Sequence, residues 1–157
     1  MFSRYFTQLV IVSLSLLIMS GCGGDTDEET SKTPKLSSFY SKLDGCILCH
    51  SPNGQEADGP DMSTSQLFVE SLVGKKKSDY PNWYTTSDCS ASLPFITAGD
   101  ASRSTLMAAL TQEDSDAMQN NHNCTTAFNI HDSNHADIDS VLRTELTEWI
   151  NAGAINN

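Results

Sequence analysis

Five consecutive residues, Cys46-Ile47-Leu48-Cys49-His50, constrain this chain more than any other stretch. Cysteines at i and i+3 lie on one face of a helical turn, so both sulfurs project to the same side, with the imidazole of the next residue beside them. A redox dithiol of this spacing belongs in a βαβ setting, and no such pattern surrounds it. A closed zinc site usually asks for a second ligand pair at short spacing, whereas Cys89 and Cys124 stand far apart and singly.

The spacing with its adjacent histidine is the signature of c-type haem attachment. Cys46 and Cys49 are then expected to form thioethers with the two vinyl groups of one porphyrin edge, and His50 to be the proximal iron ligand.

The chain has 157 residues, enough for one domain with a modest core. Lys and Arg number 9 against 20 Asp and Glu, a formal charge of −11. Such a surface disfavours nucleic acid and anionic membrane as partners. It suits a basic redox partner through electrostatic steering, although solubility alone also explains it.

Residues 1–21 read as a targeting segment. Arg4 is an early charge, Leu9 to Met19 is apolar apart from Ser13 and Ser15, and the run is too short to span a bilayer comfortably as a helix. Met19-Ser20-Gly21-Cys22 resembles the bacterial lipobox, with Met19 in place of the usual leucine. The resemblance implies acylation of Cys22, which would become the mature N-terminus and tie the protein to a membrane facing the periplasm or the cell surface. Residues 22–36 are expected to be an acidic tether: Gly23 to Lys35 holds no large apolar residue. Fully extended, it reaches roughly 45 Å. Residues 37–157 are left for the folded domain. With Cys22, Cys46 and Cys49 assigned, Cys89 and Cys124 are expected to pair in an oxidising compartment; the alternative is two separate buried thiols.

A helix is expected to start near Ser37 or Ser38, because Phe39, Leu43 and Cys46 fall at i, i+4 and i+7. A second is predicted over about Thr64 to Val73, with Gly74 as its stop. Lys75-Lys76-Lys77 reads as a solvated helix end. The aromatic loop Tyr80-Pro81-Asn82-Trp83-Tyr84 either covers a haem edge or simply packs. Asp100 is a candidate N-cap for a third helix bearing Leu106, Met107 and Leu110, and the stretch around Met118 reads as a polar loop. The last helix is the clearest, with Ile138, Val141, Leu142, Leu146, Trp149 and Ile150 on one face, Asp137 or Asp139 as cap and Gly153 as stop.

Gly59-Pro60-Asp61-Met62 resembles the Gly-Pro-x-Leu segment of class I c-type cytochromes. That resemblance implies that the carbonyl of Pro60 accepts a hydrogen bond from the His50 imidazole, fixing the ring and tuning the iron. Gly99-Asp100-Ala101-Ser102-Arg103-Ser104-Thr105-Leu106 and Trp149-Ile150-Asn151-Ala152-Gly153-Ala154 are similar to segments of a group of monohaem cytochrome c-like domains in bacterial lipoproteins, with Ala98 and Ala101 replacing two prolines. That group often carries cysteines placed much as Cys89 and Cys124 are. The fold implied is all-α: a cytochrome c-like domain of three to five helices around one covalent haem, with long loops and one disulfide. Phe39 and Leu43 should then pack near Leu146 and Trp149.

The sixth iron ligand decides the chemistry. Members of the family usually place a methionine, followed by proline, roughly 18 residues before the terminal tryptophan, and methionine there raises the potential. Counting back from Trp149 reaches His131, and no Met-Pro exists in the chain. His131 is therefore the expected distal ligand, with Met118, His122 and His135 as competitors and an open face as a further possibility. A closed bis-histidine site implies a membrane-anchored electron carrier rather than an enzyme. An open face implies a peroxidase or a small-ligand sensor.

Overall fold

The computed structural model describes residues 32–83, 89, 92–124, 128 and 138–157, and among these helices dominate and no strand occurs. Thr33–Asn157 forms one compact unit. The expected signal segment, Cys22 and most of the expected tether lie outside the described residues. Among the described residues, no helix is long and apolar enough to cross a membrane.

The first expected helix is a helical run in three pieces: α1 (Leu36–Phe39), a 3-10 turn (Tyr40–Leu43) and α2 (Asp44–Cys49). Of the face that the spacing predicts, Phe39 and Leu43 are buried and Cys46 is half-buried; Leu36, outside that pattern, is buried in the same core. In the tighter turn, side chains at i and i+3 eclipse, which sets Tyr40 and Leu43 on the same side. The Tyr40 hydroxyl donates to the carbonyl of Met62 at 2.5 Å. Neither Ser37 nor Ser38 is the cap. Lys35 occupies that position without a side-chain bond. The open amides are met from across the fold: Leu36 N–H donates to Asn157 Oδ1 at 2.9 Å and Ser37 N–H to the Asn157 carbonyl at 3.2 Å.

Helix α3 (Ser65–Leu72) begins at Thr64, whose hydroxyl accepts from Leu67 N–H, and buries Phe68, Ser71 and Leu72. It stops where Gly74 takes φ +71°, a conformation that favours glycine. An isolated parallel bridge between Val73 and Ile96 then ties the next segment to its end.

Asp100 caps only a 3-10 turn (Ala101–Arg103). Its carboxylate accepts from the Ser102 hydroxyl instead. The buried Ser104 hydroxyl donates to the Asp100 carbonyl and accepts from Thr97 N–H, which holds the chain out of helix until α4 (Thr105–Leu110). The stretch expected to be a polar loop is helix α5 (Gln112–His122), capped by the Thr111 hydroxyl, which accepts from Asp114 N–H. Helix α6 (Ser140–Asn151) starts at Asp139, whose carboxylate accepts from Leu142 N–H. Leu142, Leu146, Trp149 and Ile150 are buried, whereas Val141 is 58% exposed. Ile138 precedes the helix, so the helical phase is set by the later residues and turns Val141 outward.

Trp149 joins the ends of the fold. Its ring meets Phe39 edge-on at 5.8 Å and Phe68 at 6.0 Å, and its indole N–H donates to the Ile155 carbonyl. Aromatic pairs of this kind contribute about 0.5–1.5 kcal/mol each beyond their buried area. Phe39, Leu43, Leu146 and Trp149 belong to one core, which also takes in Met62 and Met107. A smaller apolar cluster gathers Cys89, Leu93, Ala108, Met118, Cys124 and Phe128. There Cys89 and Cys124 form a disulfide, with Cα atoms 5.4 Å apart.

Candidate functional site

Helix α2 is short because its job in the fold is local: it carries Cys46 and Cys49 one turn apart and ends at His50, whose N–H still donates to the Cys46 carbonyl at 2.8 Å. Both cysteines are half-buried thiols outside the disulfide. Cys46 and Ile47 pack on the main core, while Leu48 is 76% exposed, so one side of the turn faces protein and the other solvent. Burial pushes the Cys46 thiol above its ordinary range; a backbone hydrogen bond opposes this and neighbouring Cys49 adds to it. The thiol is therefore protonated at neutral pH.

His50 is only 4% exposed. The chain after it curls back over the end of α2. Glu56 N–H donates to the Cys49 carbonyl at 3.0 Å, and Met62 N–H donates to the His50 carbonyl at 2.7 Å. Gly54 makes the curl possible: a Cβ there would stand 2.0 Å from the Cys49 oxygen. Pro60 is fully buried on the stretch that returns to His50.

Against the imidazole stands Trp83, edge-to-face, with ring centroids 5.7 Å apart and an interplanar angle of 80°. The aromatic loop thus packs on the histidine of the motif; Tyr84 lies outside the described residues. Lys77 donates to the Tyr80 carbonyl and lies 6.0 Å from the Trp83 ring, which gives one of the three lysines a packing role beyond solvation.

Of the distal-ligand candidates, His131 and His135 lie outside the described residues. Met118 is on a helix rather than a loop, and it is buried beside the disulfide in the smaller cluster, not in the core that Cys46 and Ile47 adjoin. His122 is half-buried at the last turn of α5. Among the described residues, no three His, Cys, Asp or Glu side chains gather as a metal-holding group. The donor set on α2, two thiols and one imidazole on adjoining positions, fits a porphyrin held by two thioethers and one axial nitrogen.

The roles of Gly54 and Glu56 around the motif were not read in the sequence, and the aromatic loop with Trp83 was expected either to cover a haem edge or to pack. Nothing in the local pattern pairs residue 83 with residue 50. A separate concavity of about 630 Å³ is lined by Asp100, Met107, Asp114, Arg143, Thr147 and Glu148 among others, and by no residue of the motif. Within it Arg143 donates to both Asp114 oxygens, at 2.7 and 2.8 Å.

Comparison with protein-family models, with curated proteins and with solved structures gave no match.

Proposed function

We propose that this chain is a membrane-anchored monohaem c-type cytochrome that carries electrons between extracytoplasmic redox partners. One observation supports this above the rest: two thiols one helical turn apart, followed at once by a buried histidine, with the next loop hydrogen-bonded back onto the Cys49 and His50 backbone carbonyls. When bound, the haem supplies a one-electron iron couple.

The chain's own residues do the rest. Cys46 and Cys49 hold the group covalently, so it survives unfolding. His50 would bind the iron, and its burial keeps water from the imidazole. By the resemblance to class I cytochromes, the Pro60 carbonyl would accept from that imidazole and raise its basicity. His131 would supply a second iron ligand, and the protein would then carry electrons rather than activate small molecules. Cys22 bears the lipid. The charge of −11 draws a basic partner toward the domain.

The test is expression in a bacterium with full c-type maturation machinery. Denatured wild-type protein should retain peroxidase-stainable pigment after acid-acetone extraction, and Cys46→Ala/Cys49→Ala should lose it. The reduced form should resist carbon monoxide, and His131→Ala should bind it. Rapid carbon monoxide binding by wild type would replace the carrier with an open-site haem protein. A methionine–iron band that survives His131→Ala and vanishes in Met118→Leu would transfer the ligand role to Met118. Loss of membrane association in Cys22→Ala tests the anchor.

A further inference from the structure

Trp83 is held from several directions at once. Its indole N–H donates to Glu56 Oε2 at 2.5 Å. A Cβ on Gly59 would come within 2.9 Å of the indole, so the backbone there abuts the ring. Phe95 meets it edge-on at 5.6 Å and Tyr80 at 6.5 Å, and Lys77 is placed near the ring. Tyr80 is itself anchored, because its hydroxyl donates to the Ser71 carbonyl on α3. An indole so enclosed has one orientation, and the nearly perpendicular imidazole of His50 packs on it.

We propose that Trp83 is a positioning residue for His50: it fixes the plane of the imidazole and shields it from water before any haem arrives. The proposal rests on the reading of His50 as an iron ligand. A ligand ring held in one plane splits the iron d orbitals in one direction, and groups around a ligand set its basicity and solvent access. Glu56 acts one step further out. It locks the indole and, through its own N–H on the Cys49 carbonyl, couples the indole to the helix that bears the thiols.

The experiment has an arm that needs no haem. In the apoprotein, nuclear Overhauser contacts should link the ring protons of His50 and Trp83; their absence in wild type overturns the proposal. In the haem-loaded protein, Trp83→Leu should change the spread of the hyperfine-shifted haem methyl resonances and the low-spin electron paramagnetic anisotropy. Trp83→Phe, which keeps an aromatic edge, should restore most of both. Glu56→Gln, which leaves the core alone, should shift them less and in the same direction, so the proposal stays testable if Trp83→Leu does not fold. Loaded Trp83→Leu with wild-type spectra sinks this inference alone. Wild-type protein that takes up no haem sinks the reading of the site on which it rests.

Discussion

Removing the Cys89–Cys124 bridge is the perturbation whose effect follows most directly from the fold. The two residues are 35 apart in sequence, and the loop between them holds α4 and α5. Closing a loop of that length removes about 13 cal/mol/K of entropy from the unfolded chain, or about 4 kcal/mol at 25 °C. In Cys89→Ala/Cys124→Ala the sulfurs also leave a small apolar cluster, so reduced wild-type protein is the better comparison for the cross-link itself. Urea unfolding should show a midpoint roughly 2 M lower for the reduced protein, taking a slope of about 2 kcal/mol/M. The slope should rise on reduction, because the unfolded chain is no longer held compact. The double alanine variant should match the reduced protein within about 1 kcal/mol. A loss below about 1 kcal/mol on reduction would refute the reasoning, since the chain-entropy term alone is several times larger.

Gly54→Ala should destabilise the domain by about 2–3 kcal/mol, because the new methyl meets the Cys49 carbonyl and the curl over α2 must open; thermal unfolding reads this, and the haem-loaded fraction should fall with it. The Asp114 carboxyl is pushed up by its partial burial, but hydrogen bonds from Arg143 and Thr111 and the charge of Arg143 outweigh that and hold it below the usual carboxylate range. A lowered folded-state pKa contributes stability that is present above the unfolded value and lost as pH falls through the folded one. Asp114→Asn should therefore cost about 1–2 kcal/mol near neutral pH after solvent screening, and the gap to wild type should close as pH drops below about 4. Urea unfolding across pH checks this, and a gap that stays constant to pH 2 would exclude the ion pair as its source.

Much of the helical layout was legible because burial and periodicity agreed. In α3 the side chains of Phe68 and Leu72 and the Gly74 stop all point to one answer, and in α6 Leu142, Leu146 and Trp149 do the same. Helix α5 escaped notice because only Ser115 and Met118 on it are buried, so no apolar stripe marks it. Its signals were polar ones: Thr111 three residues before Asp114, acids in the first turn, a Gln112–Asp116 pair at i, i+4, and His122 and Asn123 at the far end, Asn123 in the left-handed region. In the candidate site, Cys46, Cys49 and His50 were legible because they fall within five consecutive residues. Glu56 was not legible, nor was the pairing of Trp83 with His50, because both reach the motif through loop geometry, and loops carry no period to read.

The anchoring of α1 by Asn157 has a consequence for the order of events in the cell. Leu36 and Asn157 are 121 positions apart, and Phe39 packs on Trp149 of α6. A chain made from its N-terminus therefore exposes the cysteine-bearing segment long before the residues that clamp it exist. Through that interval the segment bearing Cys46 and Cys49 lacks the core that later holds it. The door closes only when the C-terminal helix docks.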